Sequence, residues 1–383
     1  MITDSFTGFY TYKDIKTINK FKIMIVANNL SHVRWNYHDD FFSQFDWTKE
    51  PTESLDELYA ERARQIRDTY DYVILMYSGG SDSQNVLDSF VDNNIFLDEI
   101  CSTINYSTTS TIDNAVNYEV LGPNGAKEKA ESVKHPNTIY RLYDISDMTI
   151  QRWSNIQDSH HWSNNTRPRA GRIMDTNVDK WKQLYKTGKK ICFIWGNYKP
   201  CVTEDSGNYY FQFTDYLNTQ LPYRSALMRD EATDEQFYWY PSIQSANLII
   251  KQSHVIKNFI SNPITQLYLA NKYNNIENSH TLELYDVNNS FRFGSDDMKR
   301  LIYPKWNESN YIHVPNNKHV SFFLSDQEKW FWNSNTDQSK RYLKFIENYD
   351  SVIRPVWSSK KSNFNNKKYI AQLHTVQSIR YKL

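Results

Sequence analysis

Cysteine is nearly missing from this chain of 383 residues: Cys101, Cys192 and Cys201 are all it has, an odd number with no Cys-x-x-Cys pair. Neither a disulfide framework nor a cysteine-based zinc knuckle can then organise the fold. An excess of charge is missing too, since 44 basic residues stand against 44 acidic ones. No global field steers the chain to nucleic acid or to an anionic membrane, which leaves only a local basic groove open. No apolar run approaches the length of a membrane span, and Met1 to Ser5 show no basic and apolar leader, so the expectation is a cytoplasmic protein without a membrane partner. Glycine is scarce, with 10 residues. Neither a Walker loop ending in Gly-Lys-Ser/Thr nor a Gly-x-Gly-x-x-Gly pattern occurs, which makes P-loop NTPase and Rossmann dinucleotide readings poor. What remains, 39% hydrophobic and 23% charged residues, reads as a globular protein of one large or two ordinary domains.

That scarcity gives weight to the one place where two glycines are adjacent. Tyr72 to Met76 is an apolar run of the kind found in a strand buried on both faces of a parallel sheet. Ser78-Gly79-Gly80-Ser81-Asp82-Ser83 ends it abruptly, and Val86, Leu87, Phe90 and Val91 then recur at helical spacing. The pattern predicts strand, loop and helix, with Ser81, Asp82 or Ser83 as N-cap. Paired glycines let successive backbone N–H groups approach an anion, and the helix dipole adds to them. The hydroxyls of Ser78, Ser81 and Ser83 can donate as well. Asp82, the loop's one charge, would meet a phosphate only through Mg²⁺ or a lysine.

These six residues resemble the SGGxDS signature of the PP-loop ATP pyrophosphatases, also called adenine nucleotide alpha hydrolases. The resemblance implies a HUP-like α/β domain that binds ATP and Mg²⁺, with Ser78 to Ser83 on the phosphates, and cleaves between the α and β positions. In layout the chain is nearest the phosphoadenosine phosphosulfate reductase-like branch, yet no cysteine follows Cys201, and that branch needs one in a C-terminal motif. Three cysteines cannot supply the four-cysteine zinc site of the deazaguanine branch, and Ile2 stands where the glutamine-dependent asparagine synthetases have their catalytic cysteine. The frequency of asparagine and of aromatic residues (28 Tyr, 20 Phe, 11 Trp) resembles bacteriophage proteins, which would place the chain in a host cytoplasm.

Around the loop, strands alternate with helices. Ser54-Leu55-Asp56-Glu57 is a capping box, followed by an apolar face of Leu55, Leu58, Tyr59, Ala63, Ile66 and Tyr70. Glu61, Arg62, Arg64 and Arg67 fall on the expected solvated side, unless Arg62 or Arg67 reaches a phosphate. Leu97–Ile104, Thr138–Tyr143 and Lys190–Gly196 are further strand candidates, with helices at Ala126–Val133 and Val178–Tyr185 between them. This alternation predicts an α/β fold, a doubly wound and mostly parallel sheet. Gly196 ends the last strand where ligands bind in open α/β sheets, so Gly196 and Lys199 join the candidate site. Arg167, Arg169 and Arg172 form either a clamp for a substrate phosphate or carboxylate, or a solvated loop. His160 and His161 read as surface residues.

Asp205-Ser206-Gly207-Asn208 predicts a hairpin turn. Beyond residue 220 the character shifts to helices and loops. Ser242–Ile260 is amphipathic, with Lys251, His254 and Asn258 on its polar face, to meet either a nucleotide or water. Gln327–Trp332 and Lys340–Asn348 are helix candidates, and Trp330, Trp332 and Trp357 could serve as core or as a stacking surface. The expected organisation is an N-terminal cover segment (1–52), a PP-loop ATP-binding domain (53–220) and a mainly helical, substrate-binding region (221–383). The expected activity is adenylation of an unidentified acceptor, a nucleobase, nucleotide or small acid, with Asp82 and Lys199 catalytic and Asp82 on Mg²⁺. A non-catalytic nucleotide-binding or sensing module and a sulfur-transfer enzyme using Cys101 or Cys201 are the alternatives.

Overall fold

The computed structural model describes residues 8–17, 32–104, 115–133, 135–147, 179–196, 199–215, 233–236, 239–240, 242–265, 290–291, 296–307 and 376–383, with a few single positions besides. The chain is an α/β protein. Its strands are β1 (Phe9–Tyr12), β2 (Ile15–Thr17), β3 (Arg34–Asn36), β4 (Tyr72–Met76), β5 (Glu99–Ile104), β6 (Ile139–Asp144), β7 (Ile191–Trp195), β8 (Cys201–Asp205), β9 (Asn208–Gln212), β10 (Thr233–Gln236), β11 (Ser290–Phe291) and β12 (Tyr381–Lys382). The helices used below are α1 (Asp39–Phe42), α2 (Leu55–Thr69), α3 (Ser81–Val91), α4 (Ala115–Leu121), α5 (Ala126–Glu131), α6 (Asp179–Lys186), α7 (Ala246–Ser261) and α8 (Asp296–Ile302).

The central sheet runs β10-β7-β4-β5-β6 and every pairing in it is parallel. β4, β5 and β6 step outward in one direction, while β7 returns to the other side of β4. The order therefore reverses between β4 and β7, and that is where an open α/β sheet leaves a crevice at the carboxyl ends of its strands. β4 is buried along its whole length, as its apolar run predicts. Its residues alternate between two cores: Val73 and Leu75 join the large cluster, with Leu58 and Ile66 of α2 and Val86 and Phe90 of α3. Tyr72, Ile74 and Met76 face a smaller one built on Trp181 of α6 and Phe193 of β7.

Helix α2 starts on the predicted capping box: the Ser54 Oγ accepts from the Glu57 amide and the Glu57 carboxylate accepts from the Ser54 amide. One expectation on this helix fails. Arg62 is not solvated but fully buried, donating to the Trp239 carbonyl at 3.2 Å, Gln65 Oε1 at 2.9 Å and Gln244 Oε1 at 3.1 Å. Arg67 pairs with Asp98 at 2.6 Å. Polar atoms among apolar residues defeat a face count, because a guanidinium with enough acceptors can be taken inside.

A second sheet, β11-β8-β9-β12, is antiparallel throughout. Ser206 (φ 55°) and Gly207 (φ 79°) make the tight turn between β8 and β9, both in the left-handed region that a two-residue hairpin favours. A third small sheet, β2-β1-β3, lies in the N-terminal segment. That segment docks on the second sheet: Trp47 stacks on Phe211 (centroids 4.9 Å apart) and Tyr381 (4.5 Å), and Tyr10 Oη donates to Asp215 Oδ2 at 2.9 Å. Among the described residues, no helix is long and apolar enough to cross a membrane.

Candidate functional site

The first turn of α3 meets the end of β7 where the strand order reverses. Trp195 pairs with Met76 in register, so the residues after each strand leave the sheet at the same level. The predicted N-caps are corrected: Gly80 holds that position and offers no side chain, and Ser81, Asp82 and Ser83 are already helical. The first helical amide to find a backbone partner is that of Gln84, on the Gly80 carbonyl at 2.9 Å. Among the described residues, no protein acceptor takes the amides of Ser81, Asp82 and Ser83, which are the orphan donors of a helix start. An oxyanion has three N–H groups and the positive end of a helix of 11 residues to bind.

Side chains hold the loop's shape from within. Ser83 Oγ donates to the Gly80 carbonyl at 3.1 Å and accepts the Ser78 amide at 3.3 Å, while Ser78 Oγ accepts the Gly80 amide at 3.3 Å. Gly79 takes φ 79°, and a Cβ there would lie 3.0 Å from both the amide nitrogen and the Cβ of Ala126, so α5 closes on the loop from the other side. Gly196 has the same role on β7, since its Cβ would overlap the backbone of Asp82 and Ser83.

Lys199 and Asp82, named from the sequence as separate catalytic candidates, form an ion pair: Nζ lies 2.7 Å from Oδ1 and 2.8 Å from Oδ2. Two residues that sequence reasoning missed grip the same aspartate. Tyr240 Oη donates to the Asp82 carbonyl at 2.8 Å, and Tyr303 Oη donates to Oδ1. They lie 158 and 221 positions along the chain, too far for any local pattern to announce them. Burial, with the Asp82 charge second or third among the causes, pushes both phenols well above the usual tyrosine range, so each stays a donor.

ATP phosphates fit this arrangement of amides, hydroxyls and one ammonium. A Mg²⁺ ion on Asp82 fits less well. Both carboxylate oxygens already accept, so the ion would have to displace Lys199 or Tyr303, or arrive on the nucleotide with its own waters. Among the described residues no group of three or more His, Cys, Asp or Glu side chains is gathered to hold a metal. The chain matches no protein-family model, no curated protein and no solved structure.

The structure brings Ser78 to Ser83, Gly196 and Lys199 together, and places two other candidates elsewhere. Lys251 binds Glu50 at 2.8 Å and the Pro51 carbonyl at 2.9 Å, and His254 lies 2.9 Å from the Trp47 carbonyl, 3% exposed. Both pin the N-terminal segment onto α7. Arg167, Arg169 and Arg172, with His160, His161 and the three tryptophans Trp330, Trp332 and Trp357, lie outside the described residues. The three cysteines are buried and form no disulfide with one another, and burial drives the Cys101 thiol well above its ordinary value.

Burial also lowers the His254 pKa from 6.5, with the Trp47 carbonyl opposing and Glu50, Lys251 and Lys257 around it. The folded chain then takes up this proton later than the unfolded chain as pH falls, so stability decreases as pH drops below 6.5. Urea unfolding of wild type against His254→Gln between pH 7.5 and 5.0 is expected to show a shallower decrease for the variant. Parallel curves would remove His254 as the cause.

Proposed function

We propose that this chain binds ATP on the Ser78–Ser83 loop and cleaves it between the α and β phosphates, adenylating an acceptor. One observation carries the reading: an SGGxDS sequence stands at a strand-to-helix turn beside the reversal in strand order, its three helix-start amides unclaimed and Lys199 brought in from the segment that follows the neighbouring strand. In the proposed reaction an acceptor oxygen attacks the α-phosphorus. The new P–O bond forms as the bond to the bridging oxygen breaks, and the electron pair leaves with pyrophosphate; a second nucleophile, an amine or water, then attacks the adenylated acceptor and AMP departs with the acceptor oxygen's bonding pair. Oriented amides and the Lys199 ammonium would stabilise charge on that leaving group.

A second reading, a module that binds nucleotide without chemistry, is favoured by the engagement of both Asp82 oxygens. Sulfur transfer draws no support from three buried thiols.

Incubation with Mg²⁺ and ATP labelled at the α-phosphate, with and without nucleotide, tRNA and DNA pools, separates these readings. AMP released with one pool is the expected result and names the acceptor class. Lys199→Met is expected to lower that release about 100-fold, the scale of one electrostatic contact to a departing group. ADP in place of AMP would contradict the reading, and tight ATP binding without turnover would favour the binding module.

A further inference from the structure

Asp82 is held by side chains from three distant stretches. Lys199 follows β7, Tyr240 precedes α7 and Tyr303 directly follows α8. Tyr303 donates to Oδ1, the same oxygen that lies 2.7 Å from Lys199 Nζ. Its own place is fixed several times over. It is 1% exposed, its ring centroid is 5.7 Å from that of Tyr240, and its amide bonds the Lys299 carbonyl at 2.8 Å. The preceding carbonyl, of Ile302, accepts from Tyr59 Oη of α2 at 2.5 Å, and Gln252 of α7 donates to that same hydroxyl at 2.8 Å. A hydroxyl placed by α2, α7 and α8 thus ends on a carboxylate in the first turn of α3.

We propose that Tyr303 is a positioning residue of the nucleotide site, orienting Asp82 so that its carboxylate holds the Lys199 ammonium beside the unclaimed amides where a nucleotide phosphate binds. This rests on the ATP reading above. It gives the C-terminal third a part in the site without placing any of its residues on the ligand. Lysine loses much rotamer freedom when a ligand orders it, so an ammonium ordered beforehand binds at lower entropic cost. A carboxylate held by one flexible lysine alone could swing, and a second, rigid donor on Oδ1 removes that freedom.

Isothermal titration of Mg²⁺–ATP into wild type, Tyr303→Phe, Lys199→Met and the double variant tests this. Tyr303→Phe is expected to fold with a modest loss of stability, comparable to that of Tyr240→Phe, and to bind ATP about tenfold more weakly, on the scale of one hydrogen bond to a charged group. In the Lys199→Met background the same change should have no further effect, because the tyrosine acts only through the lysine. Tyr240→Phe removes a bond to the Asp82 carbonyl and supplies the structural baseline, a loss additive with that of Lys199→Met. Additive losses for Tyr303→Phe, or a Tyr303→Phe chain that does not fold, make the hydroxyl merely structural and overturn the proposal. Unchanged affinity in Tyr303→Phe overturns it while leaving the ATP reading intact. No ATP binding by wild type removes that reading and this inference together.

Discussion

Gly196→Ala is expected to cost about 3 kcal/mol of stability, the upper end of ordinary overpacking, and to take ATP binding below detection. The added Cβ would lie 2.7 Å from the Asp82 carbonyl oxygen, 2.8 Å from its carbon and 2.9 Å from the Ser83 Cα. All three atoms are backbone, so no side chain can turn aside. Either β7 or the first turn of α3 must move, and both belong to the candidate site. Gly207→Ala is the comparison: it has φ 79° with nothing within 4 Å of the new Cβ. It is expected to cost about 1 kcal/mol, from left-handed backbone strain alone, and to leave ATP binding unchanged. Urea unfolding and ATP titration on the two variants would check this. Equal behaviour of the pair would mean that close approach at residue 196 does not shape the site.

Arg62→Met is expected to destabilise the chain by about 3 kcal/mol, because buried acceptors lose their donor while the apolar stem is kept. The guanidinium sits 5.8 Å from the centre of the Trp239 ring and donates to the carbonyl of that residue. Tyr240, next along the chain, holds the Asp82 carbonyl. Losing Arg62 should therefore also weaken ATP binding, through a shift of Tyr240. Arg62→Lys is not expected to rescue, since an ammonium cannot span acceptors placed for a planar fork. Arg64→Met, exposed on the same helix, should stay within about 0.5 kcal/mol of wild type. Similar small losses for Arg62 and Arg64 would show that the buried contacts carry little.

Local pattern was enough for the elements around the site. The run Tyr72 to Met76 became β4, the Ser54 capping box opens α2, and Asp205 to Asn208 makes the hairpin turn. In each case the cause lies within a few residues: a strand buried on both faces, a reciprocal pair of capping bonds, a turn needing two left-handed residues. Where the reading failed, the cause was tertiary. Arg62 counts as solvated on helical period alone, yet acceptors from residues 239 and 244 make its burial tolerable. Lys251 and His254 share a polar face on α7, and it is covered by the segment carrying Trp47 and Glu50.

By itself, then, the amino-acid order determined the strand, the glycine turn and the helix that follows it, because these depend on side-chain period and on which residues tolerate a tight backbone. It also placed Gly196 and Lys199 at the end of a buried strand. Only the tertiary structure decided what those residues do together. Packing of β7 beside β4 brings Lys199 onto Asp82, and packing of α8 brings Tyr303 to the same carboxylate. Such contacts join positions more than a hundred residues apart, and the free energy that selects them comes from the buried core as a whole, which no local run of sequence displays.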